Sequence, residues 1–145
     1  MRIADMCTRL DDALSVAALY QCIPSMLYRL RAANQRLGIY PQSLVQESRW
    51  RAQRYDTQGG LVDFGVGEVV PFSELLEKLL VMVAEDAELP DCMAEIENAR
   101  EIVCRGTSAY WQLALYNGAM ADGAFKEEAL ASMVDALIEK TVSYL

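Results

Sequence analysis

The sequence predicts a mainly α-helical domain of about five or six helices with one short β-hairpin. Three observations carry that reading. Apolar residues recur at three- and four-residue spacing through most of the 145 positions, strand-like sequence is confined to the flanks of Gly65-Val-Gly67, and 53% hydrophobic against 23% charged residues is globular composition. A chain of this length is read as one domain, residues 1–145, able to bury roughly 68–70% of its unfolded surface.

Arg2-Ile-Ala-Asp5 reads as a short extended segment. Thr8 stands three residues before Asp11, a capping-box spacing, ahead of Leu10, Leu14, Ala17, Ala18, Leu27 and Leu30. That spacing predicts a long helix over 9–36, kinked near Cys22 or Ile23 by Pro24 and stopped by Gly38. Pro41 suits the first turn of a second helix carrying Leu44, Val45, Trp50 and Ala52, which frays near Asp56 before Gly59-Gly60. Leu61–Phe64 and Glu68–Val70 then form the hairpin, closed by Pro71.

Ser73 is the candidate cap of a helix over Leu75, Leu76, Leu79, Leu80 and Val83, a clear apolar stripe. Pro90 breaks the chain and Asp91 is the candidate cap of the next helix, with Met93, Ile96, Ile102 and Val103 inward and Gly106 at its end. Thr107 or Ser108 starts a shorter helix through Tyr116. Gly118 and Gly123 loosen the link to a last helix whose buried stripe is Leu130, Met133, Val134, Leu137 and Ile138.

Composition excludes several classes of function. There is no histidine, so no Ser-His-Asp or Cys-His catalytic group and no histidine metal site can form. No apolar run reaches the length of a bilayer span, and Arg2, Asp5, Arg9, Asp11 and Asp12 interrupt any secretory leader. Cys7, Cys22, Cys92 and Cys104 form no C-x-x-C; disulfides are permitted by the even count, but free thiols in a reducing cytoplasm are the better reading. The seven methionines scatter as gap-fillers.

The net charge of −8 is unevenly spread. Residues 1–55 hold eight arginines, no lysine and four acids, a net +4, while residues 56–145 carry a net −12. An acidic chain repels nucleic acid, yet an all-arginine first third suits small anions, because the guanidinium forks onto carboxylates and phosphates. Arg51 and Arg54 share a helix face, with Glu47 four residues before Arg51. Spacing alone leaves two readings: a solvated i, i+4 ion pair contributing about 0.3–0.5 kcal/mol, or an anion site. Asp5 and Asp63, both on extended segments, could converge on a cation or serve only as caps. The glycine pairs lack a phosphate-loop lysine and read as turns. Trp50 and Trp111 fall in apolar stripes and read as core or interface.

Four stretches in order resemble the C-terminal part of bacterial carboxylate–amine ligases of the glutamate–cysteine ligase type 2 family. They are Arg2-Ile-Ala-Asp5 with Thr8–Ala13 and Ala17–Gln21, then Gln46-Glu-Ser-Arg-Trp-Arg-Ala-Gln-Arg-Tyr55, then Gly60–Phe64 with Val70–Leu76, and Arg105–Ala109 with Gln112–Tyr116. The resemblance implies the C-terminal half of a glutamine synthetase-like ligase fold. It also implies Mg²⁺ and ATP, with the glutamate γ-carboxylate activated as an acyl phosphate and attacked by cysteine or another small amine.

Through the same resemblance Arg2, Arg51 and Arg54 fall on motif positions and are assigned to phosphate or substrate-carboxylate contact. Glu47 then orients an arginine, and Asp5 positions its strand or a metal-bound water; no metal ligand is assigned. Ser48 stands where the family has Asn, Asp56 where it has Gly, and Ala-Tyr-Trp-Gln at 109–112 where it reads Ala-Asp-Arg-Gln. Family members are more than twice this length, so the expected partners are a polypeptide carrying the N-terminal half or further copies of the chain. Such an assembly would have Trp50, Trp111 or the first-helix leucines near the contact. The alternative expectation is a catalytically inactive truncated paralogue acting as a helical oligomerisation or anion-binding module.

Overall fold

A computed structural model describes residues 7–35, 38–88 and 90–142, and among them lie six α-helices and one two-stranded sheet. The order is α1 (Leu10–Ala32), α2 (Gln42–Tyr55), a 3₁₀ turn (Asp56–Gln58), β1 (Gly60–Asp63), β2 (Glu68–Pro71), α3 (Phe72–Glu88), α4 (Met93–Arg105), α5 (Ser108–Ala121) and α6 (Lys126–Val142). The mainly helical architecture with a single hairpin is the one the periodicity predicts.

α1 runs through Pro24 without interruption. Its first helical residue is Leu10, which makes Arg9 the cap residue in place of Thr8, and Arg9 makes no side-chain capping bond. The Thr8 hydroxyl turns away, 3.4 Å from the Ser108 hydroxyl. The helix also stops short of Gly38. Asn34 takes the left-handed conformation (φ 57°), the Gln35 amide donates to the Leu30 carbonyl at 2.8 Å, and the Asn34 amide donates to Arg31 at 3.1 Å. These two bonds form a Schellman closure, for which asparagine is the common substitute for glycine.

The core is a three-helix packing. Ala18, Cys22 and Met26 of α1 meet Leu76, Leu80, Val83 and Ala87 of α3, and Ile96 and Ala99 of α4 complete the cluster. The buried strip of α1 is therefore this small-residue face, while Leu10, Leu14 and Leu27 are exposed. Small residues let the three backbones approach closely, and the larger aliphatics of α3 and α4 fill the space between them. α3 begins one residue before Ser73, and α4 is capped by Cys92, because Asp91 (φ 52°) is spent turning the chain.

β1 and β2 pair antiparallel in the register Leu61↔Val70 and Val62↔Val69. Asp63 shapes the connection: its carboxylate accepts from the Gly65 amide at 2.8 Å, its carbonyl accepts from Gly67 at 2.7 Å, and Gly67 supplies the positive φ of 80°. α2 lies against β1, where the Ser48 hydroxyl accepts from the Val62 amide at 3.3 Å.

The last two helices differ from the sequence reading. α5 continues through Gly118 to Ala121, turning only at Gly123 (φ 91°). In α6 only Ala129 is buried, and Leu130, Val134 and Ile138 are exposed. The periodicity is real, but the substantial packing of α6 is against α5 alone, so half of its apolar stripe has nothing to cover it. Among the described residues no helix is long and apolar enough to cross a membrane.

Candidate functional site

Glu47, Trp50, Arg51 and Arg54 form one strip along α2, at the i, i+3, i+4 and i+7 positions that a helix brings to a common face. The Arg51 Nε donates to Glu47 Oε1 at 2.8 Å, so the carboxylate fixes one edge of the guanidinium. Arg54 is exposed one turn further on, with no ion-pair partner among the described residues. Trp50 is 50% exposed and meets the Tyr55 ring edge-on at a centroid distance of 5.6 Å. Arg2 and Asp5, the other two residues assigned through motif positions, lie outside the described residues. Asp63, the possible companion of Asp5, is engaged by Lys78 Nζ at 2.8 Å, and that ammonium holds its carboxyl below the usual carboxylate range.

A second polar centre forms where α1, α4, α5 and α6 meet. Arg105 Nη2 lies 2.8 Å from both Asp12 oxygens, and Arg9 lies 3.8 Å from the same carboxylate. Thr8, Thr107, Ser108, Trp111 and Lys140 line the rest of this cleft of ≈ 100 Å³. The Lys140 ammonium sits 3.8 Å above the Trp111 ring. Burial lowers its pKa, as do the nearby charges of Arg105 and Arg9. A cation thus stands over the position at which Trp111 replaces the expected arginine.

Nothing in the sequence pointed to Arg9, Arg105 and Lys140 as a group. They are distant along the chain and share no helix, so no periodicity links them. The one available signal was Arg105-Gly-Thr-Ser, which leads directly into α5. There Thr107 caps the helix by accepting from the Tyr110 amide at 3.4 Å, and its hydroxyl donates to Asp56 at the end of α2. That bond links the end of α2 to the start of α5, with Asp56 at a positive φ of 54°.

A third hollow of ≈ 560 Å³ lies between the hairpin and α4, bounded by Thr57–Gly60, Val69–Pro71 and Cys104. The Thr57 hydroxyl is buried there without a hydrogen-bond partner among the described residues. No group of three Asp, Glu or Cys side chains able to hold a metal occurs among those residues. The carboxylates at the first two centres, Glu47 and Asp12, are each paired with an arginine.

The sequence profile of glutamate–cysteine ligase family 2 matches residues 1–133. A relative in Rhodospirillum rubrum, provisionally named glutamate–cysteine ligase 2, is 58% identical over 145 residues, which is all of this chain and 37% of that protein. Relatives with the same provisional name in a Jannaschia species and in Paracoccus denitrificans are 44% and 41% identical, over 95% and 96% of this chain and 36% and 37% of theirs. The chain spans little more than a third of the length of these curated relatives. No solved structure matches.

Proposed function

The chain belongs to glutamate–cysteine ligase family 2, and on that premise we propose that it supplies the C-terminal part of an ATP-dependent carboxylate–amine ligase. The reaction joins a glutamate carboxylate to a small amine such as cysteine. The γ-carboxylate takes the terminal phosphoryl group of ATP and releases ADP; the amine then displaces phosphate from the acyl phosphate to leave the amide. Negative charge accumulates on the transferring phosphoryl oxygens, and fixed cations stabilise it where water is excluded.

The observation that carries this reading is the α2 strip. Glu47 neutralises and orients Arg51 at 2.8 Å, whereas Arg54 one turn away keeps its full fork for an anion. Arg51 and Arg54 are proposed to contact phosphate or the substrate carboxylate, with Glu47 as the positioning residue. Arg2 and Asp5 keep the roles that the motif match implies. Mg²⁺ would supply further positive charge against the phosphates in such a reaction; Glu47 and Asp12 are already held by arginines, and no residue of this chain is assigned to the metal. The four free cysteines suit a reducing cytoplasm as the place of reaction.

A second reading is favoured by Trp111, which stands where the family carries arginine: an inactive module that retains the anion-binding helices. ADP release separates the two. The chain alone, with glutamate, cysteine and Mg²⁺-ATP, is expected to release none. Co-expression with the part of the Rhodospirillum rubrum relative outside the matched 37% is expected to restore turnover, and Arg54→Ala to abolish it. A complex of normal composition without turnover would overturn the ligase reading for this chain.

A further inference from the structure

α5 has no charged side chain between Ser108 and Ala121, and no buried residue either. A helix that is apolar around its circumference belongs inside a protein, yet the substantial packing of α5 is against α6 alone. Leu113 is 60% exposed and Ile138, on α6, 57%. Leu113, Tyr116, Leu130 and Met133 line an apolar groove of ≈ 550 Å³ between the two helices.

We infer that the outer face of the α5–α6 hairpin docks the portion of a glutamate–cysteine ligase that lies outside this segment, the polypeptide beyond the matched 37% of the Rhodospirillum rubrum relative. The inference rests on the family reading given above.

The length of the relatives favours this occupant over a second copy: the matched segment is 37% of the Rhodospirillum rubrum protein, which carries the rest in the same chain. The only charged side chain lining the groove among the described residues is Lys126, so the complementary surface is chiefly apolar.

The test is co-expression of the chain with that portion of the relative, read by light scattering and by hydrogen exchange over residues 108–121. A 1:1 complex is expected, with exchange of the α5 amides slowed at least tenfold relative to the chain alone. Leu113→Glu is expected to weaken the complex at least tenfold. Val81→Glu, at a 76% exposed site on α3, should leave it unchanged, and both variants should keep wild-type helicity by circular dichroism. Three results would each overturn the inference: α5 exchange unchanged in the complex, a complex indifferent to Leu113→Glu, or a homodimer of the chain alone that Leu113→Glu splits. None of these readouts involves turnover. An inactive complex with a protected α5 thus sinks the ligase reading only, whereas turnover with an unprotected α5 sinks the docking face only.

Discussion

The Arg29 guanidinium grips a single oxygen of Asp86, with Nη2 at 2.8 Å and Nε at 3.1 Å from Oδ2, and leaves Oδ1 to the Ser25 hydroxyl at 2.9 Å. Asp86 is nearly buried between α1 and α3, so a carboxylate is taken out of water and repaid by three donors from one neighbouring helix. The pair locks the register of α1 against α3 at the edge of the core.

Acid should unlock it. The hydrogen bonds from Arg29, helped by Ser25, hold the Asp86 carboxyl below its ordinary value despite the opposing effect of burial; Lys78 does the same for Asp63, and Arg100 for Glu77. A folded pKa below the unfolded one gives stability that is complete above the unfolded value near 4 and is lost as pH falls through the folded value. The melting temperature should therefore hold from pH 8 to 5 and drop below about pH 4. Arg29→Met should flatten that drop, and Ser25→Ala should cost about 1–3 kcal/mol at neutral pH by urea unfolding.

Ile96 is the largest fully buried side chain, at 1% exposure. Ile96→Ala should destabilise the chain by about 2–5 kcal/mol, since α1 and α3 cannot both collapse onto the vacated volume. Val81→Ala on the exposed face of α3 should fall within about 0.5 kcal/mol of wild type. Equal losses from the two substitutions would mean that the three-helix cluster is not the core.

The Cys22 and Cys92 sulfurs are 3.6 Å apart, and burial together with the neighbouring thiol pushes Cys22 up to about 11. Cys22 should therefore stay protonated and resist a thiol reagent at pH 8 until the chain unfolds, while the exposed Cys104 reacts at once. Peptide mapping after timed alkylation reads both.

Thr107→Val removes the cap of α5 and the donor to Asp56 together. A loss of about 1–2 kcal/mol is expected, with faster hydrogen exchange in the first turn of α5 and at the end of α2. Thr107→Ser should restore both. Faster exchange confined to α5 would show that the Asp56 link carries no load.

Local chemistry was legible in the residues themselves. The 3.6-residue periodicity located the helices, Gly65-Val-Gly67 located the hairpin, and Glu47 and Arg51 were paired by spacing, because each depends on neighbours within a few positions. The order of motifs from Arg2 to Tyr116 was enough to point to the family. Helix ends were less legible: Asn34, Arg9 and Cys92 took positions expected of Gly38, Thr8 and Asp91, since an end is set where packing stops supporting the next turn.

Burial and convergence were beyond local reading. Periodicity marks an apolar stripe but does not say whether anything faces it, so α3 is covered and α6, with a stripe of its own, is half bare. Asp86 meeting Arg29, and Lys140 standing over Trp111, join residues 57 and 29 positions apart. Their meeting follows from how the helices pack, and long-range packing leaves no fixed interval in a sequence.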